Sequence, residues 1–246
     1  MKATRIILAA VLLAVIFAGV NYLRDRILTP EGSEAPSGGA AMLEGKHDIG
    51  NSAYFAAPDI YNMKPGGSLL LLPRFKTRQQ QTGYTCGPAA AAMVAEYFLG
   101  SCPDSEMEIA RIMETSKFNG TNVRGMARYF ERLRWDVKTS ADTTSPKNYP
   151  LFLQFVETSL RNNAPIIVEN VEWGGHWRVI IGYDTMGTGY TGDDVLIMAD
   201  PFDLADHVQD GYNIENAQKF YYMWFDAKLF TSGEREHPWL IARPKA

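Results

Sequence analysis

The sequence has 246 residues, of which 46% are hydrophobic and 21% are charged. This length supplies one substantial hydrophobic core, so we expect a single globular domain after a short N-terminal segment. The net charge is −4 at pH 7 and no stretch is rich in lysine and arginine, which excludes a nucleic-acid partner. Two cysteines are too few for a disulfide scaffold or a four-cysteine metal site, and the four histidines form no zinc-binding pattern. We therefore expect neither a metal nor an organic cofactor.

Residues 1–26 have the form of an export signal. Lys2 and Arg5 precede an apolar run from Ile6 to Val20, which is typical of a signal peptide or an N-terminal membrane anchor. The run contains no clean A-x-A cleavage site and approaches the length that spans a bilayer. We therefore favour a single-pass anchor in the cell membrane with the domain outside the cytoplasm. If the signal is removed, the protein is secreted.

A change in composition separates this segment from the domain. From Thr29 to Met42 the chain is rich in proline, glycine, serine and alanine, which bury too little apolar surface to offset the entropy of ordering. We interpret residues 27–57 as a flexible linker and residues 58–246 as the folded domain. The first ordered element is expected between Pro58 and Leu69.

Four helices are expected in the first half of the domain. The stretch Gly87–Leu99 has an early proline, strong helix formers that are apolar on nearly every face, and a following Gly100. It predicts a helix buried in the middle of the domain. Three further helices are predicted from Ser105 to about Thr115, from Asn122 to about Arg134, and from Pro150 to Asn162.

Short runs of β-branched and aromatic residues, separated by turn-forming residues, dominate the second half of the domain. The predicted strands are Pro165–Glu169, Trp177–Tyr183, Val195–Ala199 and Trp239–Ala242, with an earlier extended segment at Ser68–Pro73. Because helices precede strands, we expect an α+β fold. In this fold N-terminal helices, including a central cysteine-bearing helix, pack on a C-terminal antiparallel sheet.

Cys86 lies at the start of the central helix. Unpaired N–H groups and the positive end of the helix dipole favour a thiolate at this position. Small residues follow it, so the helix can pack closely on a sheet and hold the sulfur at the edge of a groove. A lone cysteine is also consistent with an inert buried residue. Cys86 and Cys102 bracket the helix and are too far apart for a disulfide, so both are predicted to be free thiols.

His176 and Asp200 lie at the ends of two successive predicted strands. If these strands pair with Tyr183 opposite Val195, His176 falls two residues from the partner of Asp200 on the same face. The two side chains can then meet, and a carboxylate on one imidazole nitrogen leaves the other to take a proton from a thiol. Either residue alone is also consistent with a structural role, whereas their combination with Cys86 favours covalent catalysis.

Three segments together resemble a known family: TGYTCGPAAAAMV around Cys86, GGHWRVIIGYD around His176, and LIMADP around Asp200. They are similar to the papain-like cysteine peptidases of the C39 and C39-like group, and the likeness spans about Leu70 to Pro201. The resemblance implies that Cys86 is the nucleophile, that His176 is the general base and acid, and that Asp200 orients the imidazole.

The resemblance also implies an oxyanion-hole glutamine six residues before the cysteine, which is Gln80 here. Gln79 and Gln81 flank it, so the assignment depends on the register of the loop. The backbone N–H of Cys86 would be the second donor. Many C39 peptidases sit on peptide-exporting ABC transporters and cut after a double glycine. The sequence shows no transporter domain, so we do not carry that specificity over.

Four residues near the proposed nucleophile and base are candidates for lining the substrate groove, although its aromatic members would equally fit the edge of the core. They are Tyr84, Trp173, Gly175 and Trp177.

The sequence therefore predicts an extracytoplasmic cysteine peptidase that hydrolyses peptide bonds through a thioester at Cys86. We expect a peptide or protein substrate, membrane contact through the N-terminal segment, and a monomer. Two alternatives stay open. One is an amidase or acyltransferase that acts on cell-wall or γ-glutamyl peptides, and the other is a catalytically inactive module that binds peptides.

Overall fold

The structure, a computed structural model, describes residues 39–42, 48–227, 230, 231 and 233–245. They belong to one compact unit, Ala35–Ala246. The expected export signal or anchor at residues 1–26 lies outside the described residues and stays a prediction. Within the described part of the chain, no helix has both the length and the apolar character needed to cross a membrane.

Five α-helices occur among the described residues, and polar side chains cap four of them. The caps Ser105, Asn122, Asn148 and Asn216 each accept a hydrogen bond from a backbone N–H in the first turn. The helix that begins at Cys86 ends at Gly100, which is left-handed with φ of 80°. The helices are α1 (Cys86–Leu99), α2 (Glu106–Met113), α3 (Val123–Arg132), α4 (Tyr149–Arg161) and α5 (Ala217–Met223).

The described strands form one sheet of seven, and every strand pair is antiparallel. Six strands follow the order β2-β7-β3-β4-β5-β6, and β1 pairs with the second half of β4. The strands are β1 (Leu69–Leu71), β2 (Asp136–Thr139), β3 (Ile166–Asn170), β4 (His176–Asp184), β5 (Val195–Ala199), β6 (Tyr212–Asn216) and β7 (Trp239–Arg243).

These elements confirm the predicted α+β fold with helices that precede an antiparallel sheet. The four predicted helices and the predicted strands are present, with bounds that differ by a few residues. The sequence analysis missed β2, β6 and α5. Both missed strands lie at the ends of the sheet order and contain several polar residues, so their hydrophobic patterns are weak.

The β4–β5 hairpin carries both His176 and Asp200 toward one end of the sheet. Near the turn, Tyr183 pairs with Leu196, one residue away from the expected register. A β-bulge in the middle of β4 shifts the pairing by one residue, and Val179 then pairs with Ala199, as the expected register requires. The predicted alignment therefore holds at the end of the hairpin where the two side chains meet.

Helix α1 packs against β4 and is buried along most of its length. Ala89–Ala92 are fully buried, and such small side chains allow the helix axis to approach the sheet closely. At Gly87 a Cβ atom would lie only 2.7 Å from the Thr121 hydroxyl and 2.8 Å from its Cβ. The N-terminus of α1, with Cys86 as its first residue, is thereby fixed in position by close packing.

The described part of the expected linker makes specific contacts with the domain. Ala40 is fully buried, and the N–H of Ala41 donates to the carbonyl of Gln80 at 2.9 Å. Farther along, the N–H of Ile49 donates to the carbonyl of His207 at 2.7 Å. The first ordered element was expected between Pro58 and Leu69, whereas residues 39–42 and 48–57 already contact the domain through backbone hydrogen bonds and the buried Ala40.

Candidate active site

The loop before Cys86 is braced by a buried carboxyl group. The hydroxyl of Thr85 donates to Oε1 of Glu106 at 2.5 Å, and the N–H of Gln81 donates to the same oxygen at 2.8 Å. Burial raises the pKa of Glu106, although these hydrogen bonds act in the opposite direction. The sequence analysis interpreted residues 105–108 only as a helix start, and no local pattern indicated that Glu106 supports this loop.

The structure brings together His176 and Asp200, as the hairpin alignment predicted. Nε2 of His176 lies 2.7 Å from Oδ1 of Asp200, and both side chains are almost fully buried. The same carboxyl oxygen also accepts the N–H of Phe202 at 2.8 Å. Because Asp200 takes Nε2, Nδ1 is the ring nitrogen of His176 that remains for another partner, and Cys86 is among the groups that raise the pKa of the imidazole.

Electrostatic interactions favour a charged imidazolium at this site. Burial lowers the pKa of His176, but the charge and hydrogen bond of Asp200, with further contributions from Cys86, outweigh it and raise the pKa to about 10. Burial alone would raise the pKa of Asp200, yet His176 and Arg178 hold it below its ordinary value. Both shifts favour the imidazolium–carboxylate form of the pair.

Arg178 is a second buried cation on the sheet side of the site, and the sequence analysis did not single it out. Its side chain is 1% exposed, and its Nη2 donates to Glu215 at 2.8 Å. Nη1 lies 3.7 Å from Oδ2 of Asp200, and Nη2 lies 3.7 Å from Glu172. Arg178 is two residues after His176 on the same strand, so the alternation of side chains could have indicated that both face the same cluster.

Gln80 lies beside this cluster, on the loop that leads to Cys86. Its N–H donates to the carbonyl of Pro201 at 2.8 Å, and its Nε2 donates to the carbonyl of Thr82 at 2.7 Å. Its Oε1 is buried and has no hydrogen-bond partner within the described part of the chain. The side-chain amide is therefore turned toward its own loop.

The two flanking glutamines have different surroundings. The side chain of Gln79 bonds the carbonyl of Asp200 and the N–H of Asp203, at 3.4 Å and 3.3 Å. Gln81 is exposed. Of the three, only Gln80 is both buried and bonded through its side chain solely within its own loop.

The candidate groove residues occupy different environments. The ring of Trp173 lies edge-on to His176 and to Phe202, with centroids 5.0 Å apart in each pair, and it is 43% exposed. Gly175 immediately precedes His176 and is half-buried, as is Tyr84. These three positions are accessible at the rim of the site.

Trp177 differs from the other candidates because it is 1% exposed. Its indole N–H donates to the carbonyl of Thr121 at 2.7 Å, and its ring lies near Phe230. A side chain that is buried and satisfied in this way belongs to the core. We therefore correct the expectation that Trp177 lines a groove: neighbouring residues on a strand face opposite sides, so the residue after His176 points away from the site.

A further buried carboxyl group, Glu169, lies within electrostatic range of Cys86. Burial raises the pKa of Glu169 well above its ordinary value, and the charges of Asp226 and Cys86 raise it further. Both effects favour the neutral form of this carboxyl group. In the sequence it appeared only as the end of a predicted strand.

The cluster also has the atoms of a possible metal site. One ligand atom each from Glu172, His176 and Asp200 lie within 4.8 Å of one another. Both carboxyl groups already lie 3.7 Å from the guanidinium of Arg178. An internal cation thus balances the charge that would otherwise attract a metal ion.

Comparison with known proteins shows which structures this chain is similar to. No curated protein matches the chain. Among solved structures, it is similar to the peptidase domain of Streptococcus ComA, a bifunctional ABC transporter involved in a quorum-sensing pathway. That match has 18% identity, a TM-score of 0.47, and coverage of 70% of this chain and 99% of the other. The peptidase domain of Streptococcus mutans ComA gives 14% identity, a TM-score of 0.40, and coverage of 69% and 100%.

The family model described as "Peptidase_C39 like family" matches residues 73–227. This range is more than half of the chain and contains Gln80, Cys86, His176 and Asp200. The match agrees with the resemblance noted in the three sequence segments. The chain belongs to the Peptidase_C39 like family.

Proposed function

We propose that this protein is a cysteine peptidase in which Cys86, His176 and Asp200 form a catalytic triad. The observation that carries the proposal is the shared imidazole. Asp200 holds Nε2 of His176 at 2.7 Å, and Cys86 is among the groups that raise the pKa of the same imidazole. This is the orienter, base and nucleophile arrangement of covalent catalysis. Membership of a peptidase family supports the same function.

In the first step the thiolate of Cys86 attacks the carbonyl carbon of the scissile peptide bond. The new C–S bond forms while the carbonyl electron pair moves onto oxygen. The tetrahedral intermediate then collapses, and the C–N bond breaks. The imidazolium of His176 donates its Nδ1 proton to the departing amine, which leaves a thioester on Cys86.

The oxyanion formed in this step needs hydrogen-bond donors. The backbone N–H of Cys86 at the start of α1 is one candidate, and Nε2 of Gln80 is the other. Nε2 of Gln80 donates to the carbonyl of Thr82, and because a side-chain amide has two N–H donors, its second N–H is the one available to the oxyanion.

In the second step water attacks the thioester carbon. His176 removes a proton from the water at Nδ1, the C–S bond breaks, and the carboxylic product departs with the thiolate restored. Asp200 stays ionised throughout and keeps the ring in one orientation. Trp173 and Tyr84, at the accessible rim, are candidates for contact with the peptide.

We also propose that the protein acts outside the cytoplasm as a monomer, held to the membrane by its N-terminal segment or secreted if that segment is removed. The apolar run after Lys2 and Arg5 supports this location. Separation of membrane and soluble fractions, combined with protease treatment of intact cells, tests it. A domain that stays protected inside intact cells would refute the location.

The catalytic proposal is tested with a thiol-directed probe and a matched pair of variants. We expect a peptide-based electrophile to label the wild type and Cys102→Ala at Cys86, to leave Cys86→Ala unlabelled at that position, and to react far more slowly with His176→Ala. Incubation with a peptide library and with muropeptides, followed by mass spectrometry, then identifies the bond that is cleaved.

The outcomes separate the alternatives. Cleavage of library peptides by the wild type and not by Cys86→Ala supports a peptidase. Transfer to an amine acceptor, or turnover of muropeptides alone, would refute the peptidase in favour of an acyltransferase or amidase. Binding of peptides without turnover, with a thiol that reacts equally in His176→Ala, would refute catalysis and favour a binding module.

A further inference from the structure

The segment Gly39–Met42 lies against the loop that leads to the proposed nucleophile. Ala41 donates its backbone N–H to the carbonyl of Gln80 at 2.9 Å. Ala40 is fully buried, and residues 40–42 form one turn of 3-10 helix. The contact is therefore made by backbone atoms and one very small side chain.

Gly39 has no room for a side chain. A Cβ atom there would lie 2.5 Å from the nitrogen of Thr82 and 2.6 Å from the carbonyl carbon of Gln81. Both are backbone atoms and cannot swing away. Gly39 also has φ of 75°, which residues with a side chain rarely adopt. The surface of the loop thus accepts a glycine followed by a residue of alanine size, and rejects larger ones.

The same loop is built into the proposed active site. It ends at Cys86, and on its other side Gln80 donates its N–H to the carbonyl of Pro201, the residue after Asp200. Cys86 itself is only 7% exposed. Residues 39–42 cover the backbone of this loop, so their departure would expose it.

We propose that the backbone surface of residues 80–82 is a peptide-binding subsite and that residues 39–42 are its ligand within the same chain. The ligand class is an uncharged peptide segment in which glycine precedes residues of alanine size. This inference rests on the proposed function for its consequence: a substrate segment that uses this loop must displace residues 39–42, so the chain restrains its own site.

If residues 39–42 had a purely structural role, the expected result would be different. Residues 48–55 also cross the domain surface, where Ser52 bonds Nδ1 of His207 and Phe55 packs on the same ring. If residues 39–42 only continued this surface segment, loosening them would lower the free energy of unfolding. The reactivity of the Cys86 thiol relative to that of Cys102 would not change.

The test uses alkylation by iodoacetamide, with Cys102 as the reference thiol in the same molecule. Gly39→Ala introduces the clash and the backbone strain, and Ala41→Pro removes the hydrogen-bond donor to Gln80. Gly50→Ala is the matched control, because a Cβ there meets nothing within 4 Å. The ratio of the Cys86 rate to the Cys102 rate is measured by mass spectrometry in the full chain.

We expect this ratio to rise by about fivefold or more in Gly39→Ala and in Ala41→Pro, and to stay at the wild-type value in Gly50→Ala. A synthetic peptide with the sequence of residues 37–42, added to Gly39→Ala, should lower the ratio again. The same peptide with valine in place of its second glycine should not.

Equal ratios in the wild type and all three variants would overturn the inference, as would a peptide effect that ignores the valine substitution. General unfolding exposes both thiols and brings the ratio to its value in the urea-unfolded chain, so a variant ratio equal to that value also counts against it. Absence of peptide turnover, with the expected ratios, would refute the proposed function alone. Turnover with unchanged ratios would refute this inference alone.

Discussion

The helix that carries Cys86 and the sheet end that carries His176 hold their reactive groups by different means. The first turns of α1 are built from small residues: Gly87 meets Thr121 with no space for a Cβ atom, and Ala89–Ala92 are fully buried. The helix side therefore positions its sulfur by packing, and the helix dipole supplies the favourable field.

The sheet side holds its base with charge. His176, Arg178 and Asp200 are each almost fully buried, and Glu172 and Glu215 complete the cluster. Addition of a methyl-sized group matters most on the helix side, and removal of a charge matters most on the sheet side. The position of the Cys86 sulfur and the protonation of the His176 imidazole are therefore controlled by different residues. A substitution can disturb one without the other.

The largest effect is expected from Asp200→Asn, which removes a charge and retains the shape. We expect kcat/KM for peptide cleavage to fall by about 10²–10⁴-fold, because the ring loses the carboxylate that fixes its tautomer. Asp200 also raises the pKa of His176 to about 10. The alkaline limb of the pH profile of kcat/KM should therefore move to lower pH in the variant.

A folded Asp200→Asn variant should keep the near-ultraviolet circular dichroism of the wild type. That spectrum distinguishes loss of the carboxylate from misfolding as the cause of the lower activity. The free energy of unfolding depends on the same pKa shift. The raised pKa of His176 contributes stability below the ordinary pKa of histidine, and this contribution is lost as pH rises toward about 10. An unchanged alkaline limb in Asp200→Asn would contradict the charge-based account of the sheet side.

The next effect is expected from Arg178→Met, which leaves three carboxyl groups without their buried cation. We expect the free energy of unfolding at pH 7 to fall by about 3–5 kcal/mol, measured by urea denaturation. Arg178 helps to hold the pKa of Asp200 below its ordinary value. That contribution is present at neutral pH and is lost as pH falls through the lowered pKa, so the difference between variant and wild type should narrow in acid.

Arg161→Met is the matched control, because Arg161 forms an exposed pair with Glu157 on α4. We expect it to change the free energy of unfolding by no more than about 0.5 kcal/mol. Arg178→Met and Arg161→Met with equal effects would show that the buried cluster contributes no more than a surface ion pair.

The sequence predicted most of the helix side and only part of the sheet side. The helix from Cys86 to Leu99 follows from its composition and from Gly100, which are local signals. The pairing of His176 with Asp200 follows from strand alternation and survives a one-residue error near the turn, because the bulge in β4 compensates for it.

Long-range partners could not be predicted in this way. Glu106 and Arg178 act on groups distant in sequence, and their contacts depend on how α2 and the sheet are placed in space. The contact of Gly39 with residues 81 and 82 was likewise hidden, because a segment of small residues carries no hydrophobic pattern. Trp177 was misassigned as a groove residue, because proximity in sequence to His176 was given more weight than strand alternation.

A smaller effect is expected on the helix side from Gly87→Val. Its side chain would overlap the hydroxyl and Cβ of Thr121, which lie 2.7 Å and 2.8 Å from the position of a Cβ atom. We expect the free energy of unfolding to fall by about 1–3 kcal/mol and kcat to fall with it, while the alkaline limb of the pH profile stays in place. Partial rescue by Thr121→Gly in the double variant would identify the overlap as the cause, whereas no rescue would contradict the packing account.

The smallest effect is expected from Glu106→Ala, which removes the acceptor shared by Thr85 and Gln81. Two donors in the loop before Cys86 then lose a buried partner, and we expect the free energy of unfolding to fall by about 1–2 kcal/mol. Glu106→Gln keeps one side-chain oxygen and should lie between this variant and the wild type. Glu131→Ala, at an exposed position of α3, is the control.

Because Glu106 acts through hydrogen bonds rather than through its charge, its removal should change kcat without moving either limb of the pH profile. A shifted limb would show that Glu106 acts through its charge, as the groups of the sheet side do. It would then contradict the distinction between the helix side and the sheet side.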